Sequence, residues 1–113
     1  MLAAMLEAVF GSLAAERVLL FVHRYDRAYG RQIAVAFDMP VSEVQKQLRK
    51  LELGGLLVSQ MIGRTRMYAW NPRSVFVAPL RKLLQDMLEN LPPEQRSPYA
   101  DGRRRPRRSG KGG

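Results

Sequence analysis

The chain has 113 residues, a length that suits one domain with a single hydrophobic core. It has no cysteine, which excludes disulfides, thiolate metal sites and cysteine nucleophiles, and one histidine cannot form a metal site alone. The formal net charge of +9 predicts polyanionic partners, with nucleic acid ahead of an anionic membrane surface.

The positive charge is unevenly distributed along the chain. Residues 92–113 carry seven Lys or Arg against two acids, a net +5, and residues 1–91 carry twelve against eight, a net +4. The C-terminal stretch is rich in Pro, Gly, Ser and Arg, which predicts a disordered basic tail over 92–113 after a folded domain over 1–91. By composition this tail is either a sequence-independent binder of polyanions or a solubilising end without a binding role.

Two helices are predicted at the start of the chain. Residues 2–10 have apolar side chains at helical spacing before Gly11, and a second apolar stripe runs through 14–27. No apolar run reaches the roughly 18 residues of a membrane span, and the start lacks the basic region of a signal peptide. We therefore expect no membrane association and a cytoplasmic, nucleoid-associated location.

A helix-turn-helix is predicted next. A short third helix over 30–37 is followed by the turn at Pro40 and by a fourth helix over about 42–53. Ser42-Glu43-Val44-Gln45 has the S-x-x-Q form of a capping box, and the paired glycines at 54–55 end the helix. Its apolar face consists of Val41, Val44, Leu48 and Leu51.

The opposite face of the fourth helix is polar and basic. It carries Ser42, Gln45, Lys46 and Arg49, with Lys50 beside them. Glutamine pairs with an adenine edge, whereas arginine and lysine suit guanine or phosphate, and a helix fits the major groove. Arg31 and the Tyr29 hydroxyl, at the start of the third helix, are further candidate phosphate contacts.

A β-hairpin over 56–71 follows the fourth helix directly. Gly63 lies in its turn, and Arg64, Thr65 and Arg66 place positive charge at its tip, where they can reach neighbouring phosphates or the minor groove. A last helix is predicted over 75–91, with Pro79 in its first turn.

Each basic group also has a plainer interpretation. Lys46, Arg49 and Lys50 can form an ordinary solvated helix face, and Arg31 can be a free surface arginine. Arg64 and Arg66 can simply keep an exposed hairpin soluble and protect its edge.

Residues 13–91 resemble a winged helix-turn-helix domain of prokaryotic transcription regulators, nearest to the ArsR-like group. The stretch that carries the resemblance is RQIAVAFDMPVSEVQKQLRKLELGGLLVSQMIGRTRMYAWNP. Within it the recognition-helix pattern falls on Val44, Leu48, Leu51, Gly55, Leu56 and Leu57, and the wing pattern on Gly63, Arg64 and Tyr68.

The resemblance implies a DNA-binding repressor or activator that dimerises through its first and last helices. The implied DNA contacts are Ser42, Gln45, Lys46, Arg49 and the wing residues 64–66. The candidate dimer residues are Leu2, Met5, Leu6, Val9, Leu80, Leu84, Met87 and Leu88. Metal-sensing relatives use cysteine or histidine clusters that this chain lacks, so metal sensing is not carried over and no cofactor is expected.

The predicted fold is mostly α with a small β-hairpin (α+β), a winged helix-turn-helix flanked by dimerisation helices. The first functional hypothesis is a homodimeric, sequence-specific regulator that binds double-stranded DNA, with or without a small-molecule effector. One alternative is a protein-interaction module that docks a partner through its last helix. Another is a non-specific nucleic-acid-binding protein driven by its basic tail. An enzyme is not expected, because the sequence has no Gly-rich phosphate loop and no convincing carboxylate pair.

Overall fold

The computed structural model describes residues 10–100. They form a mixed α+β arrangement of four helices and a three-stranded antiparallel sheet, which is compatible with a winged helix. In chain order the elements are α1 (Leu13–Tyr25), β1 (Arg27–Tyr29), α2 (Gly30–Phe37), α3 (Val41–Leu53), β2 (Leu57–Ile62), β3 (Thr65–Trp70) and α4 (Val77–Glu89), followed by short 3-10 helices at Pro93–Gln95 and Ser97–Tyr99. The predicted first helix lies outside the described residues except for Phe10.

Strand β1 was not predicted from the sequence, which assigned residues up to 27 to a helix. The helix instead ends at Tyr25, because Asp26 adopts a left-handed backbone with φ of 71°. The three residues that follow pair antiparallel with β3, and Ala28 lies opposite Tyr68. This third strand supports the β2–β3 hairpin, which would be marginal alone.

Both helices of the predicted helix-turn-helix are present as α2 and α3, but α3 starts at a different residue from the one predicted. Helix α3 begins at Val41, and the carbonyl of Pro40 accepts the backbone N–H groups of Glu43 and Val44 at 3.1 and 3.3 Å. No side chain caps this helix, so the predicted capping box is wrong and Ser42 lies inside the first turn. The predicted glycine stop is confirmed, since Gly55 has a φ of 83° just after the helix.

The core is built around α1 and draws on all the main elements. Its members include Val18, Leu20 and Val22 of α1, Ile33 of α2, Val44 and Leu48 of α3, Leu57 of β2, Tyr68 and Trp70 of β3, and Leu84 and Met87 of α4. The two buried residues of α3 fix which side of that helix faces solvent. Val41, predicted on the buried side, is 42% exposed because it belongs to the first turn, at the edge of the contact.

Residues 92–100 correct the predicted boundary of the disordered tail. Tyr99 is buried and its ring centroid lies 5.5 Å from that of Phe37, at the end of α2. The Arg24 Nε donates to the Tyr99 carbonyl at 2.8 Å, and the Tyr25 hydroxyl donates to the Pro98 carbonyl at 3.1 Å. The packed part of the chain therefore extends to residue 100, and residues 101–113 lie outside the described part.

Helices α1 and α4 are joined by a hydrogen-bond network around Arg81. Its guanidinium donates to the Nδ1 and the carbonyl oxygen of His23 at 3.1 and 3.0 Å, and to the Asp26 carboxylate at 2.7 Å. The guanidinium carbon also lies 5.6 Å from the centre of the Trp70 ring. Arg81 thus links α1, α4 and β3 on the side of the sheet that packs on the core.

Candidate nucleic-acid interface

A basic groove of about 380 Å³ opens between the first turn of α2, the exposed face of α3 and the start of β3. Its lining consists of Tyr29, Gly30, Arg31, Gln45, Arg49, Arg64, Thr65, Arg66 and Tyr68. Four of these nine residues are arginines, and none is a carboxylate. We call this feature the cationic groove; its composition suits a polyanionic ligand.

The wall formed by α2 and α3 depends on the small size of Gly30. A Cβ atom built at this position would lie 3.0 Å from the Cγ and 3.5 Å from the Nε2 of Gln45. Such a distance is shorter than an ordinary carbon–carbon contact. Glycine therefore allows the first turn of α2 to approach the Gln45 side chain, and this contact supports one side of that side chain. Sequence reasoning assigned Gly30 no role.

The hairpin places its arginines through a two-residue turn. Gly63 has a φ of 63°, and Ile62 pairs with Thr65 across the turn. Glycine at the first turn position suits a type II′ turn, whose twist matches that of the flanking strands. Because β1 ends at the Tyr29–Met67 pair, β3 extends beyond it, and Thr65 and Arg66 line the cationic groove there.

Arg66 is connected to the end of α3 through a serine. Its Nη1 donates to the Ser59 Oγ at 3.1 Å, and the Ser59 hydroxyl donates to the Glu52 Oε2 at 2.6 Å. The two bonds join β3, β2 and α3 across the inner face of the hairpin. They give the Arg66 guanidinium a defined position at the edge of the groove.

Tyr68 contributes a neutral hydroxyl to the cationic groove. Burial raises the pKa of this hydroxyl, and the nearby Glu52 carboxylate raises it further, whereas Arg66 and Arg49 act in the opposite direction. Tyr68 therefore stays protonated at neutral pH. The side chain belongs to the buried core and also lines the groove, a position that the sequence pattern does not predict.

The structure brings together six of the nine predicted DNA-binding residues. Arg31, Gln45, Arg49, Arg64, Thr65 and Arg66 line the cationic groove. Ser42, Lys46 and Lys50 are exposed on α3 outside it. Leu53, which was not predicted, continues this exposed side of α3 and is 84% exposed. The solvent-facing side of α3 and the groove together form one continuous candidate surface.

The dimer residues predicted on the last helix divide into two groups. Leu84 and Met87 are 0% and 2% exposed within the chain's own core, so the prediction that they contact a partner is wrong. Leu80 and Leu88 are half-buried against that core. Helical spacing identified an apolar stripe, but it could not distinguish intrachain packing from a subunit interface. Leu2, Met5, Leu6 and Val9 lie outside the described residues.

Exposed apolar side chains do occur beside α4. Phe76 is 70% exposed, and Val75 and Leu83 are exposed as well. Phe76 directly precedes α4 with a helical backbone conformation, and Leu83 lies seven residues further on, about two helical turns. The two side chains therefore lie on the same flank, with Leu80 between them along the helix. This flank is a better candidate contact surface than Leu84 and Met87.

Two further properties concern residues 10–100 only. No helix in that range combines the length and apolar character needed to span a membrane. No three His, Cys, Asp or Glu side chains there lie close enough to hold a metal ion.

Comparisons of the chain with protein-family models, with curated proteins and with solved structures return no match. What the chain binds must therefore be inferred from its own residues and their geometry.

Proposed function

We propose that the chain is a sequence-specific regulator that binds double-stranded DNA with a winged helix fold. Helix α3 enters the major groove, and the β2–β3 hairpin is the wing that contacts the adjacent backbone or minor groove. The observation that supports this most strongly is the cationic groove, where four arginines from three separate elements surround one concavity without a carboxylate. Phosphate neutralisation supplies much of the affinity of such a surface.

Two groups of side chains have different roles in DNA binding. Gln45, Lys46 and Arg49, with Ser42, lie on the exposed side of α3 and read base edges by hydrogen bonds. Arg31, Arg64 and Arg66 flank that helix and bind phosphates, which fixes the depth and register of α3. Leu53 offers an apolar contact to a thymine methyl group at the far end of the helix.

The regulator acts as a homodimer on a pseudo-palindromic site. Its two recognition helices enter successive major grooves about 34 Å apart. The flank formed by exposed Phe76 and Leu83, with half-buried Leu80 between them, supports a contact between copies through α4. Such a protein works in the cytoplasm of a prokaryote, at the nucleoid.

The same flank also supports a second candidate function, a protein-interaction module. Exposed apolar side chains at the start of α4 suit a partner chain as well as a second copy. The two functions differ in which substitutions abolish activity. Loss of Arg49 weakens DNA binding, whereas binding of a partner protein to this flank does not depend on Arg49.

The test is selection of a preferred site from a random duplex library by the full chain, followed by titration of that site. Arg49→Ala is expected to weaken binding to the selected duplex about tenfold or more and to relax its base preference. Lys82→Ala, on exposed α4 surface outside the cationic groove, removes an equal charge and serves as the matched control. Equal effects of both substitutions, or no enriched site, would refute the proposal.

A further inference from the structure

Glu52 lies at the end of α3, next to the basic surface, where a negative charge opposes DNA binding. It is the acceptor at the end of the chain of hydrogen bonds that starts at Arg66 and passes through Ser59. The distances of 2.6 and 3.1 Å are those of well-formed hydrogen bonds, and both terminal groups are charged. If Glu52 were only an ordinary solvated residue of the helix surface, it would not need to be linked to Arg66 through Ser59.

We propose that Glu52 is a positioning residue that, through Ser59, holds Arg66 in a fixed relation to α3, so that the wing and the recognition helix engage DNA as one rigid unit. This inference rests on the proposed DNA binding. The link connects the two parts of the surface, because Glu52 belongs to α3, Ser59 to β2 and Arg66 to β3.

The link uses only part of the arginine. A guanidinium has five N–H donors, and the bond to Ser59 uses the Nη1 group. Donors on the rest of the guanidinium remain for a phosphate at the edge of the cationic groove, which Arg66 lines. Since the side chain is already ordered, DNA binding loses less conformational freedom there than it would with a free arginine.

A fixed arginine affects sequence preference as well as affinity. A mobile guanidinium can reach a phosphate on almost any duplex, whatever the depth of α3 in the groove. A guanidinium held relative to α3 meets its phosphate only when α3 is seated at the right depth, where base edges are read. The Glu52 carboxylate also repels phosphates of duplexes that are seated wrongly, which suppresses non-specific binding.

The experiment compares two duplexes with the full chain. One is a site selected by the wild-type protein from a random library, and the other is a scrambled duplex of equal composition. Ser59→Ala breaks the link at constant net charge and is expected to lower the ratio of the two affinities about tenfold, the effect of losing a hydrogen bond to a charged group. Ser59→Thr keeps the hydroxyl and is expected to keep the ratio within about twofold of wild type.

Glu52→Ala removes both the link and the repulsion. It is expected to lower the ratio at least as far as Ser59→Ala and to strengthen binding to the scrambled duplex. The matched control is Glu43→Ala, which removes an exposed carboxylate from the same helix and is expected to change both affinities alike. In a ¹⁵N NMR spectrum, the Arg66 guanidinium signals are expected to show restricted rotation in wild type and Ser59→Thr only.

The outcomes separate this inference from the proposed function. Absence of any preferred site in the wild-type protein refutes the proposed function, and with it the positioning role of Glu52 in DNA binding. A clear preference in wild type that Ser59→Ala and Glu52→Ala both retain within about twofold overturns the positioning role alone. Freely rotating Arg66 signals in wild type also overturn it, independently of DNA.

Discussion

Gly30→Ala is expected to impair DNA recognition while leaving the free energy of unfolding nearly unchanged. The new methyl carbon would lie 3.0 Å from the Gln45 Cγ, so the glutamine side chain must move by a few tenths of an ångström or change rotamer. Gln45 is exposed and can move into the cationic groove. Gly30 has no positive φ, so alanine introduces no backbone strain there, and its better helix propensity offsets part of the contact cost.

The expected change in the free energy of unfolding is therefore small, within about 1 kcal/mol of wild type. The expected loss of base discrimination is about 1–3 kcal/mol, the value of one good side-chain contact to a base edge. Urea denaturation measures the first quantity, and fluorescence anisotropy with the selected and scrambled duplexes measures the second.

The double variant Gly30→Ala/Gln45→Ala provides the decisive control. If the methyl group acts by displacing the glutamine, then adding Gly30→Ala to Gln45→Ala causes no further loss of discrimination. Losses that simply add in the double variant would refute the steric reasoning. So would a large drop in stability for Gly30→Ala alone.

The remaining predictions concern the core, the exposed flank and Tyr99. Leu84→Ala is expected to destabilise the chain by about 2–4 kcal/mol in urea denaturation, because Leu84 is fully buried. Phe76→Ser is expected to leave stability nearly unchanged and to convert the proposed dimer to a monomer in analytical ultracentrifugation. A monomeric wild-type chain would contradict the second expectation. Burial, and secondarily the Glu16 carboxylate, raises the pKa of the Tyr99 hydroxyl, so neutral Tyr99 contributes stability that is fully present below pH about 10 and is lost as pH rises further. Tyr99→Phe is expected to flatten this alkaline loss in denaturation curves between about pH 9 and pH 11.5; identical slopes would contradict it.

Helices α2 and α3 were predictable from the sequence because their signals are local and strong. The buried residues Val44 and Leu48 occur at helical spacing, and the left-handed backbone position that ends α3 favours a glycine, here Gly55. The same logic located the hairpin, since Gly63 lies between two runs of strand-forming residues. These elements follow from periodicity and turn chemistry, which a single sequence carries.

The elements that sequence reasoning missed depend on distant contacts. A three-residue strand such as β1 is too short to show alternation, and it forms because β3 offers a partner for Arg27–Tyr29. Residues 92–100 have the composition of a linker, yet one aromatic ring, Tyr99, packs against Phe37 and fixes them. The role of Gly30 follows only from its distance to Gln45. None of these contacts has a local sequence pattern.

Most of the candidate surface was predictable, but its connections were not. Basic residues on α3 and at the hairpin tip are visible in the sequence, and the structure places several of them around one groove. The link from Arg66 through Ser59 to Glu52 joins residues that are seven positions apart at each step. Such spacings carry no recognisable signal without the hairpin register.

The most direct test of DNA reading by the folded part is a salt-series titration of the selected duplex. It compares the wild-type chain with a full-length variant in which the arginines at 103–105, 107 and 108 are replaced by glutamine. The variant is expected to keep its preferred site. In the proposed dimer Arg31, Arg64 and Arg66 of each protomer bind phosphates, so the expected slope of log K against log salt is about −5. A variant that loses both its preference and its salt dependence would show that the tail is the only nucleic-acid-binding element, and would contradict the account.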